Sequence, residues 1–160
     1  MIASGEALLP THVERFNELL NRENGALLAN LYGPTEATID VSYFDCSPGR
    51  KRDIIPIGKP IDNIRLYILD HYLQLQPVGI PGELCISGTG LARGYLNRPE
   101  LTAEHFVPSS ILSFSASQLL SFSLYRTGDL GRWLEDGNIE FLGRIDHQVK
   151  IRGFRIELPE

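Results

Sequence analysis

Three short stretches hold side chains of the types that handle phosphates, sugars and metal ions. In Tyr32-Gly33-Pro34-Thr35-Glu36 a Gly-Pro turn brings a hydroxyl and a carboxylate to the exit of an apolar run. A hydroxyl can hydrogen-bond a phosphate oxygen, and a lone carboxylate suits Mg²⁺, which keeps its other ligands as phosphate and water. The commoner use of such a pentapeptide is a surface turn with a helix-capping threonine. In Arg126-Thr127-Gly128-Asp129 the aspartate stands at the entry to a strand-like segment. An acid there can accept from both hydroxyls of a ribose, as in dinucleotide folds, or can simply close an Asx-turn. The third stretch, residues 144–155, holds four cations against one acid in a chain that is acidic overall. It reads as a phosphate-facing segment or as a solvated edge strand whose charges resist aggregation.

Other candidates carry less. Gly88-Thr89-Gly90-Leu91-Ala92-Arg93-Gly94 follows a strand, but its last glycine falls one place too late for the dinucleotide fingerprint. It also lacks the Lys-Ser/Thr ending of a phosphate-binding P-loop, so it reads as a turn. His12, His71, His105 and His147 are scattered, with no partner at metal or triad spacing. Cys46 and Cys85 are too few and too far apart for a disulfide scaffold or a zinc site. With 160 residues, 42% of them hydrophobic, the chain can bury a real core. A net charge of −5 argues against a general nucleic-acid coat or an anionic membrane surface. No apolar run approaches the roughly 20 residues of a membrane span, nor does the N-terminus read as a signal peptide. The expectation is a reduced, cytoplasmic protein that binds neither nucleic acid nor membrane.

The elements that must position these groups follow from periodicity. Val13, Phe16, Leu19 and Leu20 share one helical face, which predicts a helix over residues 12–22 with Thr11 as N-cap and Asn24-Gly25 as its stop. Ala26 to Leu31 reads as a buried strand and Thr38 to Phe44 as β-prone. Residues 64–70 and 82–88 read as strands bounded by Pro and Gly, and residues 133–141 as a hairpin with Asp136-Gly137 at its tip. Pro99 suits the start of a short helix over residues 100–106. The uncharged, Ser-rich stretch 109–124 reads as a loop without chemistry. Many short strands with turn signals between them suggest a small barrel or sandwich.

In combination and in this order the motifs are far more specific. Asn30-Leu31-Tyr32-Gly33-Pro34-Thr35-Glu36, Gly82-Glu83-Leu84-Cys85-Ile86-Ser87-Gly88 and Gly90-Leu91-Ala92-Arg93-Gly94-Tyr95 resemble core motifs of the adenylation domains of nonribosomal peptide synthetases. Tyr125-Arg126-Thr127-Gly128-Asp129-Leu130 and residues 143–158 continue the series, so that only the Ser-rich stretch falls outside it. The resemblance implies a fragment of the adenylate-forming enzyme fold. Its parts would be an α/β segment (1–45), a distorted β-barrel (46–143), and a hinge with the start of a further subdomain (144–160).

It also implies a reaction: an amino acid is activated with Mg-ATP to aminoacyl-AMP. The acyl group then passes to the phosphopantetheine thiol of a peptidyl carrier domain, with condensation domains as neighbours. By motif match Tyr32 resembles the residue stacked on adenine, Thr35 a phosphate contact and Glu36 the Mg²⁺ ligand. Asp129 resembles the ribose acceptor, Arg144 a second nucleotide contact and Asp146 the hinge. Ile2, Ser4, Leu31, Ile39 and Asp40 resemble part of the amino-acid pocket, largely small or apolar with one carboxylate.

The family's phosphate loop and catalytic lysine match nothing in this sequence, since Lys51, Lys59 and Lys150 stand outside that motif. Pro159 replaces the glycine usual in Glu-Leu-Gly-Glu. The expectation is therefore a chain inactive by itself. An acyl-CoA or aryl-acid ligase of the same superfamily and a non-catalytic remnant are the alternatives.

Overall fold

The computed structural model describes residues 1–49, 52–108, 123–145, 149–151 and 154–156. The chain opens on a short strand, β1 (Ile2–Ala3), and a helix, α1 (Pro10–Phe16). The helix runs on through a π-helical turn (Asn17–Asn21) into α2 (Arg22–Asn24). It begins before the expected Thr11 because Pro10 occupies its first turn, where a missing N–H costs nothing. It ends where expected: Gly25 takes the left-handed conformation (φ 70°) and its N–H caps the Asn21 carbonyl at 2.7 Å. Val13 and Phe16 bury the apolar face against Leu28 and Cys46.

Strand β2 (Ala29–Tyr32) pairs parallel with β1 and antiparallel with β3 (Ser42–Asp45), which pairs with β4 (Lys59–Pro60). Between β2 and β3 a 3₁₀ turn (Thr35–Ala37) follows Pro34. Thr38 and Ile39 then adopt positive φ (58° and 75°) and are not extended, contrary to their β-branched character. Asp40 N–H donates to the Thr38 carbonyl at 3.1 Å and closes a γ-turn of the strained hand around Ile39. The strain is held from outside. Thr38 Oγ1 donates to the Gly90 carbonyl at 2.6 Å, and Gly33 leaves room for the crossing backbone.

The second sheet orders as β5-β6-β8-β7: β5 (Ile64–Leu69), β6 (Gly82–Gly88), β8 (Ser123–Trp133) and β7 (Phe106–Pro108). Strand β9 (Ile139–Arg144) also pairs with β8, across the expected Asp-Gly turn. The expected short helix is α3 (Pro99–His105), and β7 follows it directly, a strand the sequence did not announce. Two backbone hydrogen bonds of 2.9 Å between Ile139 and residues 57–58 join β9 to the edge of the first sheet. The strands thus curl around one core in the expected α/β-then-β order, without a closed hydrogen-bonded ring among the described residues. That core takes Tyr32, Ala37 and Val41 from the first segment and Ile64, Leu66, Ile68, Leu84, Ile86, Tyr125 and Ile139 from the second. A smaller cluster of Leu69, Cys85 and Leu124 fills the other face, so β6 is buried on both sides.

Strands β10 (Val149–Ile151) and β11 (Phe154–Ile156) form a separate antiparallel pair. The proposed hinge residue Asp146, the stretch 109–122, Lys51 and Pro159 lie outside the described residues. Among the described residues no helix is long and apolar enough to cross a membrane.

Candidate functional site

The residues singled out from the sequence fall into three groups. The first surrounds Asp129. Strand β8 spends five residues, Arg126 to Leu130, where β6 spends three, Cys85 to Glu83. The excess makes a bulge at Thr127-Gly128-Asp129, with Gly128 at φ 71° supplying a conformation that a side chain would strain. Thr127 Oγ1 donates to the Leu84 carbonyl at 2.6 Å and accepts from Asp129 N–H at 2.9 Å.

The bulge aims the Asp129 carboxylate at β9 and β2. Oδ1 accepts from Arg144 Nη1 at 2.7 Å, and Oδ2 accepts from the Tyr32 hydroxyl. Arg144 Nη2 also donates to the Thr127 carbonyl at 3.2 Å. Asp129 is 3% exposed, so its charge is almost wholly out of water and depends on these donors. Burial, and then the neighbouring Asp129 charge, push the Tyr32 phenol well above its ordinary pKa. It therefore stays protonated and remains a donor at any physiological pH. Asp129 and Arg144 are cross-strand partners of β8 and β9, whereas Tyr32 lies 97 residues from Asp129 in the other sheet, and only the packing of the two sheets brings it to them.

The second group surrounds Glu36, which sits in the 3₁₀ turn, buried, while its neighbour Thr35 is exposed. Glu36 Oε1 accepts from the Tyr95 hydroxyl at 2.7 Å, and the Glu36 carbonyl accepts from Ala92 N–H at 2.8 Å. The Tyr95 hydroxyl lies 3.5 Å from that of Tyr125, four residues before Asp129 on β8. The Gly-rich stretch after β6 is thus a brace for the Glu36 turn, and its seeming fingerprint glycines serve that loop. Among the described residues no cluster of three His, Cys, Asp or Glu could cage a metal. A lone carboxylate is a donor set that fits Mg²⁺ carried in on phosphates and does not fit a zinc site.

The third group lies around β1 and β2. Ile2 pairs with Ala29, so it shares the sheet face of Ala29 and Leu31, opposite Asn30 and Tyr32. Ser4 Oγ donates to Asp40 Oδ1 at 2.9 Å, which ties Asp40 to the same neighbourhood. Ile2 and the strained Ile39 are both exposed.

Sequence reasoning missed the residues that hold the bulge. Glu83, at the start of β6, is 8% exposed. Its Oε2 accepts from Arg126 Nε and Nη2 at 3.0 and 2.7 Å, and its Oε1 from Gly128 N–H at 3.2 Å. The signal available was an acid inside an otherwise apolar strand, Gly82-Glu83-Leu84-Cys85-Ile86. Tyr95 stands out in the sequence only as part of a motif.

This arrangement of sheets and helices is shared with solved adenylation domains. PA1221, an NRPS protein containing adenylation and PCP domains, superposes with a TM-score of 0.85 at 34% identity, over 99% of this chain and 30% of that one. The Vibrio cholerae adenylation domain AlmE, solved in complex with glycyl-adenosine-5'-phosphate, gives 0.81 at 34% identity, over 98% and 28%. The chain belongs to the AMP-binding enzyme family, whose pattern matches residues 1–96, and within it is part of an adenylation domain of the nonribosomal peptide synthetase type. That family is one of adenylate-forming ligases. A mycosubtilin synthase of Bacillus subtilis is 62% identical over 160 residues. The match takes in all of this chain and 6% of the relative, so the chain spans a small part of the proteins it resembles.

Proposed function

We propose that this chain supplies the nucleoside-binding part of an amino-acid-activating site in a nonribosomal peptide synthetase. The observation that carries the reading is the buried Asp129 carboxylate, presented by a bulge between the Tyr32 hydroxyl and Arg144. A ribose diol offers two O–H donors, which could replace the tyrosine hydroxyl on this acceptor. Tyr32 would then be released to lie against adenine, and Arg144 would keep the carboxylate charged while contacting the nucleotide. Thr35, exposed beside the buried Glu36, would donate to a phosphate oxygen.

The reaction joins an amino acid carboxylate to the α-phosphorus of ATP, breaks the bond to pyrophosphate and leaves aminoacyl-AMP. The acyl group then moves to the phosphopantetheine thiol of a peptidyl carrier domain, with AMP leaving. Glu36 would hold Mg²⁺, which neutralises phosphate charge when bound. The chain's own residues orient the nucleoside, and such positioning is a large share of adenylation chemistry. Ile2, Ser4, Leu31, Ile39 and Asp40 form part of the amino-acid pocket. The Ser4–Asp40 pair offers an acceptor to a hydroxyl or ammonium on the substrate's side chain. Residues 1–45 and 46–143 serve as core subdomains, residues 144–160 with Asp146 serve as the hinge, and condensation domains act on the loaded product.

ATP–pyrophosphate exchange over a panel of amino acids tests this reading, on the 160 residues alone and on the same residues joined to the rest of an adenylation domain. Exchange is expected in the joined protein only, strongest with one amino acid. Exchange only with aryl or fatty acids would move the chain to the acyl-CoA and aryl-acid ligases. Exchange by the 160 residues alone would overturn the division of labour described here. Silence in both would favour a non-catalytic remnant.

A further inference from the structure

The Asp129 bulge has a second side. Side chains at Leu124 and Arg126 lie on the face of β8 that meets Glu83 and Cys85 of β6, away from Tyr32. From that face Glu83 grips the bulge at two points. One oxygen takes both N–H groups of the Arg126 fork, just before the bulge, and the other takes the Gly128 amide at its centre. Glu83 and Asp129 therefore hold the same three-residue loop from opposite faces of the sheet. The grip is directional. Leu84 alone faces residues 127–129, so Gly128 has no ladder partner of its own, and without the grip the loop would hold Asp129 less firmly against Tyr32 and Arg144. Arg126 is 39% exposed at its side chain whereas Glu83 is 9% exposed, so the pair is anchored on the glutamate. Hydrogen bonding to Glu83 raises the Arg126 pKa further and keeps the fork charged.

We propose that Glu83 is a positioning residue for Asp129: by clamping Arg126 and Gly128 it fixes the carboxylate where it can accept both ribose hydroxyls, and so sets the ribose selectivity of the site. The inference rests on the nucleotide reading above, and two measurements on the 160-residue chain separate the two. The first needs no ligand. Amide hydrogen exchange is followed by NMR in wild type, E83Q and E83A, comparing Gly128 and Asp129 with the β5–β6 ladder at Leu66 and Ile86. The clamp predicts exchange at least about tenfold faster at the bulge in E83A, with the ladder unchanged. E83Q, which keeps the shape and an acceptor, should fall between and stands in if E83A does not fold.

The second measurement titrates AMP and 2′,3′-dideoxy-AMP. Wild type should prefer AMP by about tenfold, since hydrogen bonds to a charged acceptor are worth that much. E83A should lose the preference while keeping its affinity for the dideoxy nucleotide, a split that general destabilisation would not produce. In a D129N background the Glu83 substitution should leave ribose preference unchanged, because both act through one carboxylate. If wild type shows no preference, the ribose reading fails and takes the selectivity claim with it, whatever the exchange data say. If wild type discriminates and E83A discriminates equally, the nucleotide reading stands and the positioning role is overturned. Faster exchange at the bulge with selectivity intact would likewise overturn it, leaving Glu83 a purely structural clamp.

Discussion

Replacing Asp129 by alanine should expose how much of the seam between the two sheets depends on one carboxylate. The pair it forms with Arg144 is nearly dry, with side-chain exposures of 4% and 12%. Breaking a buried pair from one side typically costs about 3–5 kcal/mol, because the surviving charge is left without its partner. Two features adjust that figure. Arg144 keeps its bond to the Thr127 carbonyl, which lowers the cost. The Tyr32 phenol loses its acceptor while buried, which adds about 1–3 kcal/mol. A loss of about 3–5 kcal/mol is therefore expected for Asp129→Ala, a large part of the 5–15 kcal/mol that holds a typical domain together. Asp129→Asn keeps an acceptor for Arg144 and should cost about half as much.

Urea unfolding followed by fluorescence reads this directly. The single tryptophan, Trp133, ends the same strand and packs against the main core. Adding Tyr32→Phe to Asp129→Ala should recover part of the loss, since the orphaned hydroxyl goes with it, and the cycle isolates the pair's coupling. An Asp129→Ala protein within about 0.5 kcal/mol of wild type would refute the reasoning. It would mean that water reaches Arg144 and Tyr32 freely and that the carboxylate is not held as described.

Other consequences can be measured on the same chain. Gly33→Ala puts a Cβ 2.2 Å from the Ile39 carbonyl and 2.5 Å from Asp40 Cα. Calorimetry should show a loss of about 2–4 kcal/mol, because backbone on both sides must shift. Asn138 hydrogen bonding, with help from Arg52, lowers the Asp136 carboxyl to about 2. Its folded pKa is below the unfolded one, so its contribution is complete above about pH 4 and fades as pH falls towards 2. The side chain is exposed, so Asp136→Asn should narrow the acid-stability difference by under about 1 kcal/mol. Cys46 and Cys85 are both free and buried, and burial raises both thiol pKa values. Neither should react with a thiol reagent at pH 8 until the chain unfolds, and prompt reaction of Cys85 would contradict the packing of β6.

Much of the fold was legible because its signals are local. Gly25 after a helical face, Pro99 before one and Asp136-Gly137 between two strands each impose a backbone geometry whatever surrounds them. The reading failed where tertiary contact overrode propensity. Thr38 and Ile39 are β-branched yet sit at positive φ, because the Gly90 carbonyl and the space at Gly33 compensate for the strain. Strand β7 was invisible since three residues have no periodicity, and its pairing with Leu124 and Tyr125 makes it a strand.

The sequence by itself determined the longer elements, the turns marked by Gly and Pro and the identity of the chemically capable side chains. It determined them because side-chain type and short-range sterics act within a few residues. Only the tertiary structure decided that Tyr32, Asp129 and Arg144 meet, that Tyr95 braces Glu36 and that Glu83 grips the loop carrying Asp129. Those contacts depend on strand register and on one bulge, in which two extra residues redirect a carboxylate. Register is fixed by how whole faces bury against one another, a property that no single segment carries.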